Sequence, residues 1–131
     1  VVARRTFWDK VMLLHEETFR PADKPRKERM ARHYYDAWCL ITRGVADRAA
    51  TDQVLFARVA EHRQIFFRLG WVDYATLRPG MFRLLPPADH RSAWQQDYEE
   101  MAEAMFYGDR PPFREILRVV GEFEEKFNKH L

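Results

Sequence analysis

Glycine and cysteine are scarce in this chain, with five Gly and one Cys among 131 residues. A single cysteine, Cys39, excludes an internal disulfide and fits a reducing cytoplasm. It reads as a small buried apolar residue and not as a reactive thiol. Nothing approaches the ~18-residue apolar run of a membrane-spanning helix. No charged-then-apolar leader opens the sequence, and its first residues, Val1-Val2-Ala3, lack an initiator methionine, which points to truncation or processing. Period-two alternation is nearly absent, which argues against a β architecture. There is no Asp-x-Asp pair, no Gly-rich phosphate loop, no internal repeat and no low-complexity tract. The histidines (His15, His33, His62, His90, His130) are scattered, with no pair at metal-ligand spacing beside a carboxylate cluster.

What the chain does contain is apolar and aromatic. An apolar fraction of 47% and an aromatic fraction of 15% give material for one real core at a single-domain length. The formal net charge of +2 conceals an asymmetry. Residues 1–32 carry nine Lys/Arg against five Asp/Glu, whereas residues 88–131 carry six against ten. A basic front suits phosphate-bearing partners and an acidic tail does not, although so small an excess also fits an ordinary solvated surface.

The punctuation predicts an all-α bundle of about five helices. Thr6 followed by Asp9 reads as a capping box that starts a helix through about Phe19, closed by Arg20-Pro21. Pro25 suits the first turn of a second helix, which runs to Gly44 as its C-cap. A third spans Thr51 to Leu69 and stops at Gly70, with Val54, Leu55, Val59 and Phe66 on its apolar stripe. Residues 71–87 are irregular, with a turn at Arg78-Pro79-Gly80, extension forced by Pro86-Pro87, and a short extended piece expected at Met81–Leu85. A fourth helix covers about Asp89 to Tyr107. The fifth, Phe113 to about Asn128, repeats Ile116, Leu117, Val120, Phe123 and Phe127 at three- and four-residue spacing.

Two segments carry the polar side chains of interest. Lys10 lies in Phe7-Trp8-Asp9-Lys10-Val11-Met12-Leu13-Leu14, where almost every neighbour is apolar. Taken alone, it is a snorkelling lysine whose stem covers the core. On the second predicted helix Arg29, Arg32, His33 and Asp36 fall at spacings of three and four, which places them on one face opposite Met30, Tyr34, Ala37 and Ile41. Taken alone, Arg32 and Asp36 form an i,i+4 surface pair worth a few tenths of a kcal/mol (~0.3). Glu99, Glu100 and Glu103 read as a solvated acidic face, and Trp8, Trp38, Trp71 and Trp94 as core residues on separate elements.

Together the two segments resemble motifs of the AbiEii-type nucleotidyltransferase toxins of bacterial abortive-infection and toxin–antitoxin systems. Thr6-Phe7-Trp8-Asp9-Lys10 with Leu14-His15 is similar to the third of that family's four motifs. Arg32-His33-Tyr34-Tyr35-Asp36 is similar to the fourth, with His33 where the motif commonly has Asp. The resemblance extends over nearly the whole chain, through Glu61-His62-Arg63, Phe66-Phe67-Arg68, Arg78-Pro79-Gly80, Pro86-Pro87 and Pro112-Phe113. These outer matches set turns and caps.

The resemblance implies one helical domain, residues 1–131, equivalent to the C-terminal half of a two-part cytoplasmic transferase. Lys10 and Asp36 would be catalytic, Lys10 on nucleotide phosphates and Asp36 at the reacting hydroxyl, with Arg29, Arg32 and His33 contacting nucleotide or RNA. The substrate would be an NTP, with Mg2+ held by ligands outside this chain, and the acceptor an RNA such as a tRNA. An antitoxin and the N-terminal transferase half would be protein partners. No metal ligand is assigned within these residues, no membrane is involved, and the chain is expected to lack transferase activity by itself. Two rival readings remain open: a non-enzymatic helical module that binds RNA or a partner protein, and a scaffold whose surface is covered by another domain.

Overall fold

The computed structural model describes the backbone of residues 2–105 and 110–129. Among these residues there are six α-helices and two short 3-10 turns, and no strand. The all-α expectation holds.

Helix α1 spans Val2–Glu17 and buries Phe7, Trp8, Val11, Met12 and Leu14, one apolar face at three- and four-residue spacing. It starts a full turn before the predicted capping box. Thr6 is exposed and Asp9 faces Arg5 and Arg63 (3.9 Å each), so neither caps the helix. At its other end Thr18 Oγ1 donates to the His15 carbonyl (2.7 Å), and Pro21 follows three residues later.

Helix α2, Arg32–Thr42, begins later than Pro25. Residues 21–31 instead wrap back on the bundle, where Arg26 meets Glu17 and lies over the Trp94 ring at 4.0 Å. Arg29 turns the chain with φ 67°, and the Asp97 carboxylate accepts from the Arg29 and Ala31 amides (2.8 Å each). These tertiary partners outweigh the local preference of Pro25 for a first helical turn. Gly44, at φ 83°, ends α2 as expected of a left-handed C-cap. The six-residue helix α3, Val45–Ala50, follows at once and has no counterpart in the sequence expectation.

Helix α4, Gln53–Phe66, is capped by Asp52, whose carboxylate accepts from the Leu55 amide (3.1 Å). Its buried face is Phe56, Val59 and Arg63. Val54 and Phe66, assigned to the apolar stripe, are 65% and 71% exposed. The helix stops before Leu69 because Arg68 adopts φ 44°, and its amide reaches back to the Arg63 carbonyl. Helix α5, Arg91–Met105, is led in by a 3-10 turn at Ala88–His90. The expected end of this helix at Tyr107 lies outside the described residues. Helix α6, Phe113–Lys129, buries the five residues its periodicity indicated.

Trp8 sits at the centre of the core, with ring centroids 4.8 Å from Phe56 and 5.3 Å from Phe127. Buried residues of all six helices join one cluster with Leu77, Phe82 and Leu84 from the irregular segment. That segment forms no extended strand at residues 81–85. Side chains supply the hydrogen bonds its backbone lacks. Asn128 Oδ1 accepts from the Gly80 and Phe82 amides, Glu124 from those of Leu84 and Leu85, and the Tyr34 hydroxyl donates to the Leu84 carbonyl. His15 accepts from the Arg83 amide at Nδ1 (2.8 Å), and its Nε2 meets Thr76 Oγ1 (2.8 Å).

Candidate functional site

Helix α1 presents its partners by turn position. Phe7, Trp8, Val11 and Met12 anchor one face in the core, which leaves Asp9 and Lys10 at the boundary with solvent. Helix α2 lies against it, anchored by Tyr34 and Ala37, so that His33 and Asp36 point along the seam toward Lys10.

Lys10 Nζ lies 2.9 Å from Asp36 Oδ2 and 3.3 Å from His33 Nδ1. Arg32 Nε is 3.9 Å from the same Asp36 oxygen. Both side chains of the central pair are about a quarter exposed, Lys10 25% and Asp36 28%. The ammonium thus has two of its three N–H directions partnered, and Asp36 Oδ1 has no partner among the described residues. Burial, reinforced by the Lys10 charge, lowers the pKa of His33 below the ordinary imidazole value, with Asp36 opposing the shift. His33 is therefore neutral at neutral pH. A neutral ring that accepts at Nδ1 carries its proton at Nε2.

The cluster brings together four of the five residues singled out in the sequence: Lys10, Arg32, His33 and Asp36. Arg29 is placed elsewhere. It precedes α2, and its guanidinium stands 3.5 Å from Glu100 on α5. The shared face proposed for Arg29 required a helix from Pro25, and that helix does not form.

Two buried polar groups hold α1 in place and escaped the sequence reading. Glu16 receives two hydrogen bonds from Arg63 (2.9 and 2.7 Å), with Tyr74 Oη at 3.3 Å. Glu17 binds Arg20 through two bonds of 2.7 Å and Arg26 at 3.3 Å. The i,i+3 spacing of Glu17 and Arg20 was a readable signal. The partner of Glu16, 47 residues away, was not.

Chemically, the cluster is an ammonium held by a carboxylate and a neutral imidazole, beside a second cation. Such an arrangement suits an anion at Lys10 and a proton acceptor at Asp36. It does not suit a divalent metal. Asp36 is the one carboxylate bonded to Lys10, and no group of three His, Cys, Asp or Glu among the described residues is placed to hold an ion. No helix among the described residues is long and apolar enough to cross a membrane.

The sequence model of one family, described as nucleotidyl transferase AbiEii toxin, type IV TA system, matches residues 2–119. That span takes in the whole Lys10–Asp36 cluster. No curated protein and no solved structure matches the chain.

Proposed function

The chain belongs to the family of AbiEii nucleotidyl transferase toxins of type IV toxin–antitoxin systems, and from that membership we propose that the Lys10–Asp36 cluster forms one wall of a site transferring a nucleoside monophosphate from an NTP to an RNA hydroxyl. The observation that carries the proposal is the meeting of Lys10 and Asp36, 26 positions apart in sequence, at 2.9 Å on a quarter-exposed surface.

In nucleotidyl transfer the acceptor oxygen forms a bond to the α-phosphorus, the bond to pyrophosphate breaks, and the hydroxyl proton is lost. Lys10 would set its remaining N–H on a phosphate oxygen and offset charge developing on the leaving group. Asp36 would hold the Lys10 ammonium through Oδ2 and accept from the attacking hydroxyl through Oδ1. His33, neutral, would complete the cradle of Lys10, and Arg32 would face the polyanion. Arg29, tied to α5 near Glu100, has a weaker place in this scheme and would touch only the outer part of an RNA acceptor. Mg2+ supplies charge neutralisation in such reactions, but this cluster does not fit its ligation, and its ligands would lie outside these residues.

An antitoxin is the protein partner that membership of a type IV family implies, and tRNA would be one suitable acceptor. The competing reading, a helical module that binds RNA or a protein without chemistry, draws on the exposed Ile65, Phe66 and Phe67 at the end of α4. The test is Asp36→Ala in the transferase that carries this chain as its helical half. Transfer should fall by about 10²–10⁴-fold with binding of the nucleotide retained. Transfer at the parent rate would remove Asp36 from the site.

A further inference from the structure

One cationic pocket stands apart from the Lys10 cluster and has no part in the chemistry above. A cavity of about 280 Å3 opens between the 20–26 loop and the start of α5, with Arg20, Lys24, Arg26, Asp89, His90 and Ala93 in its lining. This is room for a phosphate group with part of its hydration.

The pocket is preorganised. Arg20 is clamped by two 2.7 Å bonds to Glu17, donates to the Lys24 and Pro25 carbonyls, and lies 4.9 Å from the centroid of Trp71. Arg26 reaches the same Glu17 through Nε and stacks on Trp94 at 4.0 Å. Two guanidiniums locked on indoles lose little rotamer freedom when a ligand arrives.

The pocket is also short of acceptors. Glu17 is buried and already receives bonds from both arginines. Asp89, the carboxylate in the lining, has an 83% exposed side chain and stands 3.9 Å from His90 Nε2. Against these, the terminal nitrogens of Arg26 and the ammonium of Lys24 have no partner among the described residues. The His90 ring also lines the pocket. Unused Arg and Lys donors facing a single exposed carboxylate suit an oxyanion. The start of the 15-residue helix α5 adds the positive end of its dipole on the same side.

Position identifies the ligand further. Glu17, which organises the pocket, follows Lys10 by seven residues on α1, two helical turns and about 10 Å along the axis, on the same face. Glu17 is also among the charges that act on His33 beside Lys10. We propose that the Arg20–Lys24–Arg26–His90 pocket is a phosphate subsite, and that it holds a backbone phosphate of a single-stranded RNA whose neighbouring nucleotides run past Lys10. The phosphate chemistry stands on the pocket alone; the assignment to an RNA strand rests on the transfer reading above.

The test uses the 131-residue chain and three probes: inorganic phosphate, a fluorescent oligo(U) strand, and oligo-glutamate as an acidic-peptide control. Inorganic phosphate should shift the His90 ring and Lys24 side-chain NMR signals saturably, and should do so equally in Lys10→Ala. The exposed Lys24→Ala, combined with His90→Gln, should weaken oligo(U) binding at low salt by about tenfold. It should also reduce the log–log salt slope by about 0.7, the share of one single-strand phosphate. Absence of a saturable His90 shift overturns the subsite. A shift with phosphate but unchanged oligo(U) affinity in the double variant overturns the strand assignment. Oligo-glutamate binding as tightly as oligo(U) overturns the choice of phosphate over a carboxylate partner. None of these readouts depends on nucleotidyl transfer, so failure of the catalytic reading would leave them interpretable.

Discussion

Arg63→Met would leave the Glu16 carboxylate in the core with no cationic partner. Glu16 and Arg63 side chains are 2% and 6% exposed, and two short hydrogen bonds join them. Solvent screening therefore protects neither the pair nor the orphan it would leave. Removing one member of such a pair costs about 3–5 kcal/mol, because the remaining charge keeps its desolvation penalty. The Tyr74 hydroxyl, at 3.3 Å, keeps its bond to Glu16 in the variant, which favours the lower half of that range. Arg63 also stacks on Phe67 at 4.1 Å, a packing surface that methionine retains in part. Urea unfolding followed by tryptophan fluorescence measures the loss. For a chain of this size a loss of about 3–4 kcal/mol lowers the melting temperature by about 10–15 °C. The double variant Glu16→Leu with Arg63→Met should recover most of it, since an apolar pair of similar volume is often neutral. A loss under about 1 kcal/mol in the single variant would mean that water reaches Glu16, and the buried-pair argument would fail.

Further expectations concern charge and caps. Lys10→Met should cost stability only about 0–1 kcal/mol, since a quarter-exposed pair is largely screened, yet under the proposed transfer reading it should raise the Michaelis constant for the nucleotide. An unchanged constant would refute the phosphate role. Burial lowers the His15 pKa to about 4 from 6.5. The unfolded chain therefore binds the extra proton first, and stability present above pH 6.5 is lost as pH falls toward 4, by about 3 kcal/mol. Denaturant midpoints at pH 7 and pH 4.5, with His15→Gln as the control, read this directly; an NMR titration of His15 above pH 6 would refute it. Asp97→Ala should destabilise by about 1–2 kcal/mol, because it strips the acceptor from the Arg29 and Ala31 amides, and hydrogen exchange should accelerate at the start of α2. Unaltered exchange there would show that water replaces the carboxylate.

Where helices obey their own periodicity, the sequence was readable. Helix α6 repeats its buried residues at helical spacing and stands where expected, and α5 begins within two residues of its predicted start. Gly44 was legible too, since only a left-handed C-cap explains a lone glycine after Ile41-Thr42-Arg43. Legibility failed where distant side chains set the backbone. Asp97 and Trp94 reshape residues 26–31, so α2 starts at Arg32 and Arg29 leaves the face assigned to it. Residues 71–87 are shaped by His15, Tyr34, Glu124 and Asn128, none of them within thirty positions, and no local pattern encodes that. At the candidate site, residue types and motif resemblance selected Lys10 and Asp36. Their 2.9 Å approach depended on how α1 and α2 pack and became visible only in the fold.

The histidine at position 33 shapes what this cluster can attract. With His33 neutral, the charges of Lys10, Arg32 and Asp36 sum to a surplus of one positive. An aspartate at position 33, as the resembling motif commonly has, would cancel that surplus and compete with a phosphate for the Lys10 ammonium. The imidazole still accepts from Lys10 at 3.3 Å, so it orients the ammonium without neutralising it. Protonation would reverse the arrangement, turning Nδ1 into a donor that faces an ammonium. Because burial and the Lys10 charge both lower the His33 pKa, that reversal is displaced to acidic pH and the surplus is kept at neutral pH. His33→Asp should therefore weaken phosphate or nucleotide binding at pH 7, while His33→Asn, an uncharged acceptor, should retain most of it. Equal loss in both variants would mean that the ring's shape, and not its charge, is what the cluster requires.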